Sequence, residues 1–468
     1  MATRSDVIRW VVPLAVGVVV WLGPHGDFDA RAWGLLSVFA GTIAGLIAQP
    51  LPAGAVVLIG ITAANLLGIL SIRQTLSGFS NPTVWLIVAA FIFARGFVKT
   101  RLGERIAYMI IAAVGSSSLR LGYSLLLADL AMAPVTPSNT ARSGGVLFPI
   151  TGSIARAFES HPGPSARRLG AFLMTTLYQG DMVVSAMFLT SMAANPLVAE
   201  MALQASGVQV TWGMWALAAS VPGLVSLAIV PYAIYRLAPP EIKDTSEARG
   251  HAREHLRGMG PMTRDEKGMA GVFMLVLSLW VTATWHGGSV TTVAYLGISA
   301  LLVLGVLRWQ DVVGESGAWN ALMWFGGLVM LAGQLNEAGL LEAFANRAGG
   351  LVEGWPWPAA LVALLLIYLY SHYAFASMTA HVTAFFPAFF ALALAVGAPP
   401  LLAALSLGFF SNLNAAMTHY ATGPAPIIFG AGYVSQGEWW RIGFLMSLLH
   451  CLVWLPLGFA WWKVIGLW

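Results

Sequence analysis

The sequence predicts an all-α polytopic membrane protein, with about 11 transmembrane helices plus two re-entrant helical hairpins in an inverted repeat. Three observations carry this. Of 468 residues, 58% are hydrophobic and only 9% are charged, and mean hydropathy is +0.76, far outside the soluble range. Apolar runs of membrane-crossing length recur along the chain. Two of these runs are interrupted by matching polar stretches, APVTPSNTARSGGVLFPI at 133–150 and YAFASMTAHVTAFFPAFF at 373–390. At bilayer depth, non-helical backbone survives only where protein or a water-filled cavity satisfies it, so paired interruptions point to a site at the membrane midplane.

Residues 1–32 hold the first span, near 7–23. Arg4 and Arg9 precede its apolar run, and the absence of a small-residue cleavage site argues for a retained helix rather than a signal peptide. Repeat 1 occupies 33–237, with spans near 33–49, 53–70 and 83–99, then the basic segment Lys99–Arg105. The region 120–157 bends at Pro134, Pro137 and Ser-Asn-Thr, leaving each leg too short to cross, and reads as a re-entrant hairpin. Residues 169–205 form a helix broken at Thr190–Pro196, followed by a span near 211–236. The charged stretch 238–268 reads as a cytoplasmic interfacial helix linking two halves.

Repeat 2, residues 269–468, follows the same order. Spans fall near 269–286, 290–308 and 319–335, the second hairpin at 355–395, a broken helix at 398–434 and a last span at 439–465. The breaks share a Thr-x5-Pro spacing, Thr190 to Pro196 and Thr418 to Pro424, and Trp85 and Trp324 precede the two hairpin motifs by equal distances. Placing the N-terminus in the cytoplasm leaves only Arg31, Arg73, Arg347 and Lys463 outside, with Arg95 and Arg142 within the membrane. That orientation inserts the hairpins from opposite faces and puts the C-terminus in the periplasm; no transit extension is evident, which favours a bacterial inner membrane.

Composition also excludes classes. The net charge of +4 follows from cytoplasmic loops, and no basic tract with interleaved aromatics suggests nucleic acid. Cys451 is the single cysteine, so no internal disulfide forms. His372, His381 and His419 lack the spacing of a metal set, so neither metal nor cofactor is expected.

Each hairpin tip joins helix ends whose free N–H groups carry partial positive charge, while Ser, Thr and Asn side chains add donors. An anion is the natural guest, and two facing tips suit a ligand with two anionic ends, a dicarboxylate. Ser138, Asn139 and Thr140 are the expected partners of one carboxylate, and Ser377, Met378 and Thr379 form the matching tip for the other. The breaks near Asn195 and at Thr422 and Gly423 add donors. A single Ser or Thr in such a place more often bonds back to its own helix; their duplication at breaks favours the site. An arginine near the bilayer centre costs about 2.5–3.5 kcal/mol, so Arg142 reads as functional unless it reaches the interface from a shallow hairpin. His381 holds the equivalent place, and both are expected to compensate charge. Asp129 and Asp181 either relay protons or pair with Arg142 or Arg95.

At these residues the chain resembles the divalent anion:sodium symporter family, most closely its exchanger branch of 2-oxoglutarate/malate and citrate/succinate antiporters. SNTARSGGVLFPI at 138–150, FASMTAH at 375–381 and SNLNAAMTHYATGPAPIIFGAGY at 411–433 carry the likeness, which extends over nearly the whole chain. The resemblance implies di- or tricarboxylate substrates, an elevator-type transporter and a homodimer in the lipid bilayer. Sodium-coupled members have an Asn where Met378 stands, and here Arg142 and His381 follow the motifs. Built-in positive charge then does the work of a bound sodium ion, and only a carrier neutralised by a dianion moves, which gives sodium-independent exchange. Sodium- or proton-coupled uptake is the rival within transport. An intramembrane enzyme is the rival from another class, and would need a nucleophile with its base, or a metal set, at one cleft.

Overall fold

The computed structural model describes residues 4–26, 28–340, 343 and 354–468, so the expected outward Arg347 lies outside the described residues. The fold is helical throughout, and caps explain many helix starts. After α1 (Arg4–Leu22), Asp29 accepts from Ala32 N at 2.6 Å and opens α2 (Ala30–Ala48). Next come α3 (Ala53–Leu66) and α4 (Pro82–Thr100), the latter begun by Asn81 accepting from Thr83 N with proline at the first turn. The expected span at 53–70 ends early: α3 has 14 residues, about 21 Å of rise against a hydrocarbon core of about 30 Å. α5 (Leu102–Val114) and α6 (Ser118–Met132) lead into the first hairpin.

That hairpin turns through Ala133–Val135 and a wide π-type run, Thr140–Leu147, into α7 (Phe148–Ala157). The first broken helix comprises α8 (Gly170–Met187) and α9 (Ala194–Ser206). α10 (Trp212–Leu237) and the charged α11 (Ser246–Met259) close the first half. Then follow α12 (Arg264–Val281), α13 (Val290–Val303), α14 (Ser316–Glu337) and the second hairpin, α15 (Trp357–Ser371) with α16 (Met378–Ala395). The second break separates α17 (Pro400–Leu413) from α18 (Pro424–Gly430), before α19 (Gln436–Trp454) and α20 (Pro456–Val464).

Among the described residues, seven helical stretches are long and apolar enough to cross a bilayer. Ile8, Leu14, Val18, Leu66, Val303 and Leu452 lie exposed, the outward apolar surface expected of a lipid-facing wall. Two packed groups emerge. α1–α4, α13 and α14 pack on one another, while α8 packs on α6, α7, α10 and α17 around both breaks. The groups meet where α9 lies against α14 and α16 against α2. At the end holding the charged linker, α11 lies on α5, where His255 stacks on Tyr108 at 4.1 Å and Arg105 forks onto Glu266.

Candidate anion site at two interrupted hairpins

The two tips are built alike. Ser138 Oγ accepts from Ala141 N at 3.1 Å, and Ser377 Oγ accepts from Ala380 N at 3.3 Å. The following turns match as well, with Arg142 N bonded to Ser138 O at 3.1 Å and His381 N to Ser377 O at 3.0 Å. In each Ser-x-Thr triplet the outer side chains are half-buried while the middle one, Asn139 or Met378, is buried. The repeat legible in the residues is therefore a repeated cap, in which serine satisfies a helix-end N–H and the middle residue of the triplet turns inward.

The first tip docks on the other half's broken helix. Asn139 Nδ2 donates to Thr422 Oγ1 at 3.1 Å, and a Cβ at Gly423 would come within 2.0 Å of Thr140 Oγ1. Only glycine permits this approach. Asn139, Thr140, Thr422 and Gly423 thus form one cluster.

Ser377 and Thr379 lie elsewhere. With Gln49, Pro50, Trp324 and Leu328 they line a cavity of about 490 Å³ between the second hairpin and the α2–α3 turn. Ser138, Asn139 and Thr140 are not among its lining residues. What joins the two tips is cross-packing: α16 lies against α9, and the first hairpin against α18.

Asn195 is fully buried and fully engaged. Its Nδ2 donates to Ser185 O at 2.8 Å and Phe188 O at 2.9 Å, and its Oδ1 accepts from Asn412 Nδ2 at 2.8 Å. It closes carbonyls that the end of α8 leaves open. The second break is fixed similarly, by Tyr178 Oη on Ala415 O at 2.6 Å and Gln179 Nε2 on Ala416 O at 2.8 Å.

Arg142 is 1% exposed, and five oxygens surround its guanidinium. Nε donates to Asp129 Oδ1 at 2.7 Å, and Nη2 to Asp181 Oδ1 at 3.1 Å and Ser185 Oγ at 3.2 Å. Nη1 donates to Thr136 O at 2.6 Å and Ser191 O at 2.5 Å. One side chain thus ties the hairpin to the first break, and its charge is met by two carboxylates. The expected pairing with Asp129 and Asp181 is present.

His381 has a different setting. Its Nε2 lies 2.8 Å from Ser371 Oγ, whose own hydroxyl donates to Tyr368 O, and Asn414 Nδ2 lies 3.3 Å from its Nδ1. One acceptor and one donor complement a neutral imidazole. Tyr368, His372, Phe375 and Phe385 enclose the ring, with centroids 4.5–5.3 Å away. Sequence reasoning missed Gln49, Asn412 and Asn414. Gln49-Pro50 at a helix end was a usable signal for the first, and the Ser-Asn-Leu-Asn run at 411–414 for the others.

Residues 4–468 match the family model described as the sodium:sulfate symporter transmembrane region. The chain is 50% identical over 460 residues to the candidate malate transporter YflS of Bacillus subtilis (strain 168), covering 98% of this chain and 96% of that one. It is 46% identical over 461 residues to chloroplastic dicarboxylate transporter 1 of Spinacia oleracea, covering 97% and 81%. With inner membrane protein YbhI of Escherichia coli (strain K12) it shares 38% identity over 476 residues, 99% of each chain. Among solved structures, the crystal structure of the Alcanivorax borkumensis YdaH transporter is similar in fold, with a TM-score of 0.57 and 14% identity over 99% of this chain and 97% of that one.

Proposed function

This chain belongs to the sodium:sulfate symporter family, the divalent anion:sodium symporters, and from that premise we propose that it exchanges dicarboxylates across the membrane without sodium, by an elevator movement. It is a multi-pass transporter and not an enzyme. The relatives named for malate and dicarboxylates support the substrate class.

The observation that carries sodium independence is the nest around Arg142. Two backbone carbonyls, two carboxylates and a hydroxyl are the oxygen set that a hard cation seeks, and a guanidinium already fills it. The second tip offers no counterpart among the described residues, since Met378 and an aromatic enclosure stand there. In this reading the Arg142 guanidinium stands in the cation's place at the first tip, its charge met by Asp129 and Asp181, and His381 holds the second tip as a neutral ring.

Exchange follows from the empty site. Half-buried Ser138, Thr140, Ser377 and Thr379 and the helix ends beside them are satisfied by water or by an anion. Carrying them unsatisfied through an apolar barrier is costly, whereas a bound dianion supplies acceptors where Ser377 and Thr379 line the cavity. The loaded carrier moves and the empty one stays. The same reading includes inverted repeats, a homodimer, and a bacterial inner membrane with the N-terminus cytoplasmic.

Counterflow of labelled L-malate into malate-loaded proteoliposomes tests the substrate class. Unlabelled succinate, malate and 2-oxoglutarate are expected to compete, and acetate and lactate are not. Equal competition by monocarboxylates would remove the two-ended ligand.

A further inference from the structure

Two buried arginines in this protein use the same donor pair differently. Arg105 turns Nε and Nη2 onto both oxygens of one carboxylate, Glu266, at 2.6 and 3.2 Å. Arg142 turns the same two donors onto two carboxylates, Asp129 at 2.7 Å and Asp181 at 3.1 Å. The sharing leaves Asp129 Oδ2 and Asp181 Oδ2 buried with no partner among the described residues, on residues 1% and 0% exposed. Fully ionised, the three groups would hold one uncompensated negative charge in the membrane interior. That is costly, and a second oxygen left bare on each carboxylate adds to the cost.

We propose that Asp129 and Asp181 share a single proton, so that with Arg142 they form a proton-binding site beneath the first hairpin tip. The proton comes from solvent and forms an O–H bond on one carboxylate. It is donated to the free oxygen of the other, which the same guanidinium holds beside it. Occupied, the cluster is neutral and both orphaned oxygens are engaged; empty, it carries one negative charge.

Of the charged and titratable groups on the elements packed against the pair, α19 carries Glu438, Arg441 and His450 and the turn before α8 carries Arg167 and Arg168, and none of these bonds Asp129 or Asp181. Tyr178 faces Asp181 from one turn earlier on α8, and its hydroxyl is committed to Ala415 O. On the packed elements, α5 directs Arg105 to Glu266 and Glu104 to Arg101 and His255. α7 and α10 carry Arg156 and Arg236 in their last turns, and neither pairs with Asp129 or Asp181.

The site adjoins the tip, because Arg142 Nη1 donates to Thr136 O, two residues before Ser138, and to Ser191 O at the first break. Resting on the dicarboxylate reading, the consequence is linkage: a proton removes negative charge behind the anion, so protonation favours dianion binding and dianion binding favours protonation.

Infrared absorption of the purified wild-type protein at neutral pH, with and without 13C-carboxyl aspartate, tests the proton without any variant. Asp29, Asp244 and Asp265 are exposed, unlike the proposed pair. A protonated-carboxyl band that shifts with the label, and is lost in Asp129→Asn and in Asp181→Asn, is the expected result. No label-sensitive band, or one that persists in both variants, overturns the proposal. In a second arm, L-malate affinity by calorimetry is expected to fall about tenfold per pH unit once the proton leaves, and to flatten in Asp181→Asn. A flat wild-type profile overturns the coupling. Failure of malate to bind at any pH strikes instead at the dicarboxylate reading, while the infrared result still decides the proton.

Discussion

Asn139 and Thr422 meet side chain to side chain at 3.1 Å across 283 positions of the chain. The first hairpin is thereby seated on a break that belongs to the opposite half, and Thr140 is set against Gly423 in the same step.

Replacing Asn139 with Ala should leave the Thr422 hydroxyl without its donor and cost about 0.5–1.5 kcal/mol of stability. The larger effect should fall on transport, because the tip loses its register. Malate KM is expected to rise several-fold while the melting temperature changes little. A fall in melting temperature with an unaltered KM would make the contact purely structural.

Gly423→Ala should impair exchange severely, since the added methyl collides with the Thr140 hydroxyl. Trimming Thr140 to Ala removes the nearest atom and leaves its Cβ at 3.2 Å, so the double variant should recover part of the rate. Rates that multiply independently would show that the two positions do not press on each other.

Arg142→Ala strips the counter-charge from two buried carboxylates and the donors from two carbonyls. Loss of one member of such a set typically costs about 3–5 kcal/mol, so poor folding is expected. Arg142→Lys keeps the charge but not the planar fork, and should fold with reduced exchange. Thermal melts and exchange rates on both variants separate the two effects; full exchange in Arg142→Ala would remove the residue from the mechanism.

The hairpins and breaks were legible because proline and small polar residues inside apolar runs have few other meanings in a membrane. Pro134, Pro137 and the two Ser-x-Thr triplets marked the turns, and the equal distances from Trp85 and Trp324 to the triplets marked the repeat. What a linear pattern does not hold is which half a tip leans on. Asn139 reaching Thr422, and Ser377 opening onto Gln49 and Trp324 rather than onto the first tip, are products of three-dimensional packing. Asn195 illustrates the other limit: an Asn at a break suits either a ligand or the carbonyls of its own helix end, and the structure gives it the carbonyls.

A hydrogen bond from Arg101, reinforced by one from His255, holds the Glu104 carboxyl below the usual carboxylate range at the contact between α5 and α11. Its folded-state pKa is depressed, so its contribution is present above the unfolded value of about 4.3 and is lost as pH falls through the folded value. Amide exchange across Ser246–Met259 should therefore accelerate on acidification below about pH 4 and be already fast at pH 7 in Glu104→Gln. Exchange that ignores both changes would detach Glu104 from the docking of α11.

The most direct measurement is uptake of labelled L-malate by proteoliposomes that are either empty or loaded with unlabelled malate, each with and without an inward sodium gradient. The guanidinium-filled nest at the first tip predicts rapid uptake into loaded vesicles, negligible uptake into empty ones, and no response to sodium. Sodium-driven accumulation in empty vesicles would contradict it.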